Sequence, residues 1–314
     1  MVFLPEPEII ITHESDLDGF VSGLLLKKIA RKLHGLDCEL QAWNNEAWSK
    51  RQLVEHSAWV CDLTFEKRMD KPSWVVVDHH LSQDTPPTHT QLIHSPEKSA
   101  SLLCYELCKE VGISSPELDK IVHYSNIADL FLESDPDFNV AMDYANLVKT
   151  YTFWKLYDII EGELERLFEH PLLKVMEVKR VVENPIGLEW SRKNITEVSP
   201  DTAVVEIAVG NGNLIINQLL KELAGKYSVL ITLFRKSNAS VVVSIRSMTG
   251  GALAIARKLG GGGHPNASGA TLPKTVRSVN EGINYLEAIL RSEPTHTSFN
   301  CLDQLFEGID LNKK

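Results

Sequence analysis

The sequence predicts an α/β protein, with an N-terminal parallel-sheet domain covered by helices on both faces and a smaller C-terminal α/β domain. Three observations predict it. Short apolar runs alternate with helical patterns through the first half, as a parallel sheet with covering helices requires. Three of those runs end in Asp or His, and open α/β sheets place their sites at the carboxyl ends of the strands. The 314 residues, 43% of them hydrophobic, are enough to bury two cores.

Strands are expected near residues 8–12, 38–42, 58–62 and 74–78. In the first, the β-branched Ile9, Ile10 and Ile11 lead to His13, Asp16 and Asp18, and Gly19 permits a tight turn into a helix. Ser15, Asp16 and Asp18 are also ordinary cap and turn residues, so this run alone reads equally as a helix start. Trp59 and Val60 lead to Asp62, and one carboxylate after a strand says little. Residues 74–77 are apolar and run directly into Asp78, His79 and His80, and adjacent histidines at a strand end are rarely idle. Three strand ends carrying such side chains to one edge point to a polynuclear metal centre.

From 99 to 165 the pattern turns helical and closes the first domain (1–165). Leu102, Leu103, Tyr105, Leu107 and Cys108 mark one helix and residues 121–130 another. A charge-rich helical linker is expected over 166–197. The second domain, 198–292, shows strand patterns at 203–209, 229–235 and 240–245 and helical ones at 213–224 and 253–259. In the tail, 293–314, Leu302, Leu305, Phe306 and Ile309 follow the spacing of an amphipathic helix that docks on the second domain or on a partner such as a replication clamp.

Composition excludes some functions. The formal net charge of −10 opposes a broad grip on long duplex nucleic acid, which needs basic surface to neutralise phosphates. Small anionic substrates stay open, because bound divalent cations would supply positive charge where a phosphate sits. The five cysteines are odd in number and form no CxxC pair, so they read as reduced, intracellular and packed. Cys104 and Cys108 lie one helical turn apart, as core thiols or as part of a ligand set. Neither a basic leader nor a membrane-length apolar segment stands in the sequence, so a cytoplasmic location is expected. An oligomer is compatible with all of this. Trp59, Trp74 and Trp154 read as core or interface residues, whereas Trp43 and Trp48, in a polar segment, are the better base-stacking surfaces.

The Asp78-His79-His80 run, the acidic motifs before it, and SNIADLFLESD around Asp129 together resemble the DHH family of phosphoesterases. In the second half, IRS at 245–247 and GGGGHPNASGA at 260–270 resemble the two signatures of that family's DHH-associated domain, so the resemblance spans 8 to about 290. It implies two divalent cations, manganese first because imidazoles join the oxygen ligands, and magnesium second. Metal one would be held by His13, Asp16 and Asp62, and metal two by Asp18, Asp62, His79 and Asp129, with Asp62 as the bridge. His80 would contact a phosphoryl oxygen and Asp78 would orient the histidine pair. Two features depart from the family pattern. The first motif is spaced H-x-x-D-x-D, and Asp129 is followed by Leu130 and Phe131, which leaves Asp135 or Asp137 as the alternative last ligand.

The glycine run Gly260, Gly261, Gly262, Gly263 is a helix C-terminal break by its position, yet four glycines exceed what a cap needs. Bare amides can approach a phosphate closely, with His264 as a donor at the exit. Arg246, beside Ser247, ends a strand pattern where a surface salt bridge is the plain explanation, and its guanidinium would equally suit a terminal phosphate. The resemblance implies that Arg246, Ser247, Gly261, Gly262, Gly263 and His264 hold substrate. The expected activity is hydrolysis of phosphoester bonds in short oligonucleotides, dinucleotides or nucleotide monophosphoesters. The alternatives are pyrophosphatase or exopolyphosphatase chemistry, or a non-catalytic protein that binds nucleotide or a partner.

Overall fold

A computed structural model describes residues 4–291 except 83 and 237. The chain divides into two compact units, residues 1–180 and 181–314. The first begins β1 (Ile9–His13), α1 (Leu17–His34), β2 (Glu39–Trp43), α2 (Asn45–Lys50), β3 (Ala58–Cys61), β4 (Trp74–Asp78) and β5 (Gln91–His94). Helices α3 (Ala100–Glu110), α4 (Pro116–Asp129), α5 (Phe138–Tyr151) and α6 (Phe153–Ile159) follow, and α7 (Leu172–Lys193) carries the boundary between the units.

All five strands are parallel, in the order β2-β1-β3-β4-β5. Side chains alternate across a strand, so each apolar run feeds two cores. Ile10, Trp59, Val75 and Val77 pack with α1, α3 and α4, while Ile9, Ile11, Val60 and Val76 pack with Trp48 of α2, Phe65 and Met69. The second face is thus covered by one short helix and a loop. The chain leaves β1 toward β2 and returns on the other side with β3. Such a reversal opens a crevice at the carboxyl ends of β1 and β3, and it is here that the predicted ligands converge.

The second unit comprises β6 (Ile195–Ser199), β7 (Thr202–Val205), α8 (Gly212–Glu222), β8 (Val229–Arg235), β9 (Val241–Ser247), α9 (Ala252–Lys258), β10 (Gly262–Gly263), β11 (Ala267–Thr271) and α10 (Val279–Arg291). Its mixed sheet runs β10-β11-β9-β8-β7-β6, with only β7 and β8 parallel. Val241, Val243 and Ile245 of β9 alternate with half-buried residues and pack against Ala252, Ala256 and Leu286, while Ala203, Val205 and Leu230 pack against α8.

Some sequence expectations shift. β5, β6 and β10 carry at most two apolar residues each, being QLIH, ITEVS and two glycines. Trp48 is 3% exposed in the far-face core, and its ring lies under the Arg68 guanidinium, so it offers no stacking surface, whereas Trp154 is 41% exposed. Cys104 and Cys108 are buried in the main core, and no ligand cluster among the described residues includes a cysteine. The tail expectation at 293–314 lies outside the described residues. No described helix is long and apolar enough to cross a membrane.

Candidate metal centre and anion-binding loop

His13 ends β1 and Asp16 caps α1, accepting the Gly19 amide at 3.0 Å. A Cβ on Gly19 would stand 2.1 Å from the His13 carbonyl, so glycine is needed here for close approach of the helix to the strand end. That approach sets His13 Nδ1 2.9 Å from Asp16 Oδ2 and 3.5 Å from Asp62 Oδ2. Asp62, one residue past β3, adopts φ 55°, a left-handed conformation tolerated by Asp more readily than by most residues. Its other oxygen lies 3.7 Å from His79 Nε2, which in turn lies 3.3 Å from Asp129 Oδ2 at the end of α4.

Two ligand groups follow, His13-Asp16-Asp62 and Asp18-His79-Asp129, and a third, Asp62-His79-His80, overlaps both. Asp62 faces both histidines. Asp135 and Asp137 gather instead with His123 in a separate, more exposed cluster, which leaves Asp129 as the α4 carboxylate beside His79.

The electrostatics are those of a site short of positive charge. Burial, reinforced by Asp16 and Asp18, pushes the Asp62 carboxyl well above the usual carboxylate range. Burial, then Asp18, does the same to Asp129. Burial would lower His13, but Asp16 and Asp62 beside it raise it to about 11. Burial likewise opposes ionisation of Asp16, yet His13 and the Gly19 amide hold it below its ordinary value. Asp62 Oδ2, His79 Nε2 and Asp129 Oδ2 are buried without a hydrogen-bond partner among the described residues. Orphaned carboxylate and imidazole atoms facing one another cost stability unless a cation joins them. The donor set, oxygen and nitrogen without thiolate, fits a hard or borderline divalent ion such as magnesium or manganese.

Asp18 has an additional duty. Its oxygens accept the Ala100 and Ser101 amides at 2.7 and 2.9 Å, and the Ser125 hydroxyl at 3.3 Å. It therefore ties α1 to the N-terminus of α3, where negative charge is favoured, and keeps about one of a carboxylate's four acceptor sites for a cation. Asp78 is fully buried, and its Oδ1 lies 2.8 Å from His80 Nδ1. Burial would lower the His80 pKa, but the Asp78 contact raises it.

In the second unit, Arg246 is half-buried, and among the described residues its acceptors are neutral: Ser244 Oγ at 3.1 Å, the Ile245 carbonyl at 3.0 Å and Asn213 Oδ1 at 3.1 Å. Burial lowers its pKa, and no carboxylate opposes this. Arg180, by contrast, lies bidentate on Asp143. A half-buried guanidinium with no carboxylate partner among the described residues is suited to an anion. Asn213 carries no site expectation in the sequence; the Gly-Asn-Gly-Asn run at 210–213 was its only signal. The Ser247 hydroxyl donates to the Ser228 carbonyl and accepts the Thr249 and Gly251 amides, so it is committed to shaping the turn into α9. Gly260 (φ 72°) ends α9, Gly263 has φ 132°, and a Cβ on Gly261 would stand 2.1 Å from the Gly269 carbonyl. Gly262 meets none of these demands, and a Cβ there would point into open space. His264 opens a tight turn, exchanging backbone hydrogen bonds with Ala267.

Among solved structures, similarity extends to the DHH domain of a member of a family of ribosomal proteins (14% identity, 90% of this chain and 86% of that one, TM-score 0.52). It extends also to RecJ in complex with Mn2+ from Thermus thermophilus (16%, 90% and 52%, TM-score 0.51). A third is PggH, a pGpG-specific phosphodiesterase from Vibrio cholerae (14%, 89% and 99%, TM-score 0.50). Residues 201–292 match the DHHA1 domain. The chain has the fold of these DHH-domain structures, with a C-terminal DHHA1 domain. No curated protein sequence matches it. The DHHA1 domain holds Arg246 and the glycine loop, and the DHH-type sheet carries the acidic and histidine strand ends.

Proposed function

We propose that this DHH-fold protein hydrolyses phosphoester bonds in short oligonucleotides, linear dinucleotides or nucleotide monophosphoesters, using two divalent cations, manganese by preference. The observation that carries the reading is the meeting of Asp62, His79 and Asp129, whose buried oxygen and nitrogen atoms lack hydrogen-bond partners. His13, Asp16 and Asp62 would hold one cation, and Asp18, Asp62, His79 and Asp129 the other. When bound, such cations polarise a phosphoryl oxygen and lower the pKa of water.

The remaining residues have roles of their own. Asp78, 2.8 Å from Nδ1 of His80, raises the pKa of the ring, and in its protonated form His80 would donate a hydrogen bond to a non-bridging phosphoryl oxygen. Arg246 binds a second phosphate of the substrate, with Asn213 and Ser244 aiming the guanidinium. Gly262 gives the glycine loop a bare surface for that approach, His264 supplies a donor at its exit, and Ser247 builds the turn beneath it. The name of PggH makes pGpG the first dinucleotide to try.

The test is product release from pGpG, a short oligoribonucleotide, phosphoadenosine phosphate and pyrophosphate, with and without manganese. Manganese-dependent mononucleotide release is the expected result. Release from pyrophosphate alone would move the protein to inorganic substrates. No turnover by manganese-loaded protein would leave a binding function.

A further inference from the structure

Behind Asp18 lies a chain of hydroxyls to which the two-cation reading gives no part. Ser99, Ser101 and Ser125 are all fully buried. Ser125 donates to Asp18 Oδ1 at 3.3 Å and accepts from Ser101 Oγ at 2.9 Å. A serine hydroxyl has one proton to give. That of Ser101 goes to Ser125, so in the 2.9 Å contact between Ser99 and Ser101 it is Ser99 that donates. Ser99 in turn accepts the Leu102 amide as the N-cap of α3. The O–H dipoles thus run one way, toward the carboxylate, and each strengthens the next.

Lone pairs decide which oxygen of Asp18 is left for a cation. Oδ1 accepts both the Ser101 amide and the Ser125 hydroxyl and is full, whereas Oδ2 accepts the Ala100 amide and keeps one acceptor position. Ser125 and Asp129 stand four residues apart on α4, hence on one face of it. Asp18, His79 and Asp129 each bring one ligand atom within 4.8 Å of the others. The Ser125 hydroxyl is therefore a strut between the helix that carries Asp129 and the carboxylate with which Asp129 would share a cation.

We propose that Ser125 is a positioning residue for the second cation. By tying α4 to Asp18 it holds Asp129 and Asp18 Oδ2 at the spacing one cation requires, and so sets the affinity of the Asp18-His79-Asp129 group without touching the ion. The proposal rests on the two-cation reading above, and it gives Asp18 a single, monodentate bond through Oδ2. Loss of the hydroxyl frees a lone pair on Oδ1, but that lone pair points at a fully buried side chain and adds no usable ligand. The other group, His13-Asp16-Asp62, receives no hydrogen bond from the serine chain among the described residues and keeps its affinity.

Manganese titration of the full chain, with electron paramagnetic resonance counting the unbound ion, is the test. The parent chain should take up two ions. Ser125→Ala should bind the first as the parent does and the second at least about tenfold more weakly, with circular dichroism unchanged. A general loosening of helix packing would weaken both ions alike. Ser101→Ala removes the donor behind Ser125 but leaves the strut, so it should weaken the second ion less, by about threefold, and it reports even if Ser125→Ala fails to fold. A second ion bound with parent affinity by either alanine variant, or both ions weakened together, would overturn the role of Ser125 and leave the two-cation centre standing. A parent chain that takes up fewer than two ions would overturn both.

Discussion

The backbone amide of Asp62 donates to the Val77 carbonyl at 3.1 Å, extending the β3–β4 ladder one residue beyond the end of β3. That bond holds Asp62 beside the Asp78-His79-His80 run while its φ of 55° turns the side chain out of the strand pattern. An unusual backbone conformation at a buried carboxylate is the kind of strain that a functional site retains.

Asp62→Asn is therefore a better probe than Asp62→Ala, because Asn tolerates the left-handed conformation. It should reduce hydrolysis by at least about a thousandfold. Without metal the variant should be as stable as the parent or more so, by roughly 1–2 kcal/mol, since the cost of burying a carboxyl whose ionisation the site opposes is removed. Chemical denaturation in chelator, beside turnover assays, checks both halves. Marked destabilisation would show that Asp62 serves the fold instead.

The metal-free protein should lose stability as pH rises. Asp62, Asp129 and His13 all have folded pKa values raised above their unfolded ones. Above about pH 4, where Asp16, held below its ordinary value, is ionised in both states, these three groups bind more protons in the folded state than in the unfolded one, and their contribution to stability falls with pH. The carboxyl contribution is complete below the ordinary aspartate value of about 4 and is lost as pH climbs through the raised ones. The His13 contribution is complete below about 6.5 and is lost toward about 11. Cation uptake should release protons and tighten with pH. Calorimetry in buffers of different ionisation enthalpy measures the release, and an uptake with no proton release would contradict these ionisation states.

Asn213→Asp keeps the shape of the Arg246 cage but gives the guanidinium a carboxylate partner. Nucleotide KM should rise about tenfold with kcat little changed, because binding common to ground and transition states is lost. Arg246→Lys should raise it similarly by removing the planar fork. Unchanged KM in both variants would remove Arg246 from substrate binding.

The glycine loop separates structural from binding demands. Gly261→Ala should destabilise the protein by roughly 2–3 kcal/mol, since its Cβ would meet the Gly269 carbonyl. Gly262→Ala should leave the melting temperature unchanged and weaken nucleotide binding. Titration calorimetry with a nucleoside monophosphate distinguishes the two; full affinity in a Gly262→Ala chain would make the run a structural break only.

Much of this was legible in the sequence, for physical reasons. Strands buried on both faces read as continuous apolar runs, so β1, β3 and β4 were found close to their ends. The positions of His13, Asp62 and His79 follow from parallel strands ending together. What was not legible depends on folding. That Asp18 bridges to the amides of Ala100 and Ser101 is set by contacts more than eighty residues apart. That Asp129 rather than Asp135 lies beside His79 is set by where α4 ends. Edge strands β5, β6 and β10 are short, polar or glycine-only, and their pairing comes from neighbouring strands.

The most direct test of the shared two-cation centre is electron paramagnetic resonance of the manganese-loaded protein with measured stoichiometry. The parent chain should bind two manganese ions with the signal of a spin-coupled pair, and Asp62→Asn should lose that coupling. A single uncoupled ion in the parent chain, or none, would contradict the account.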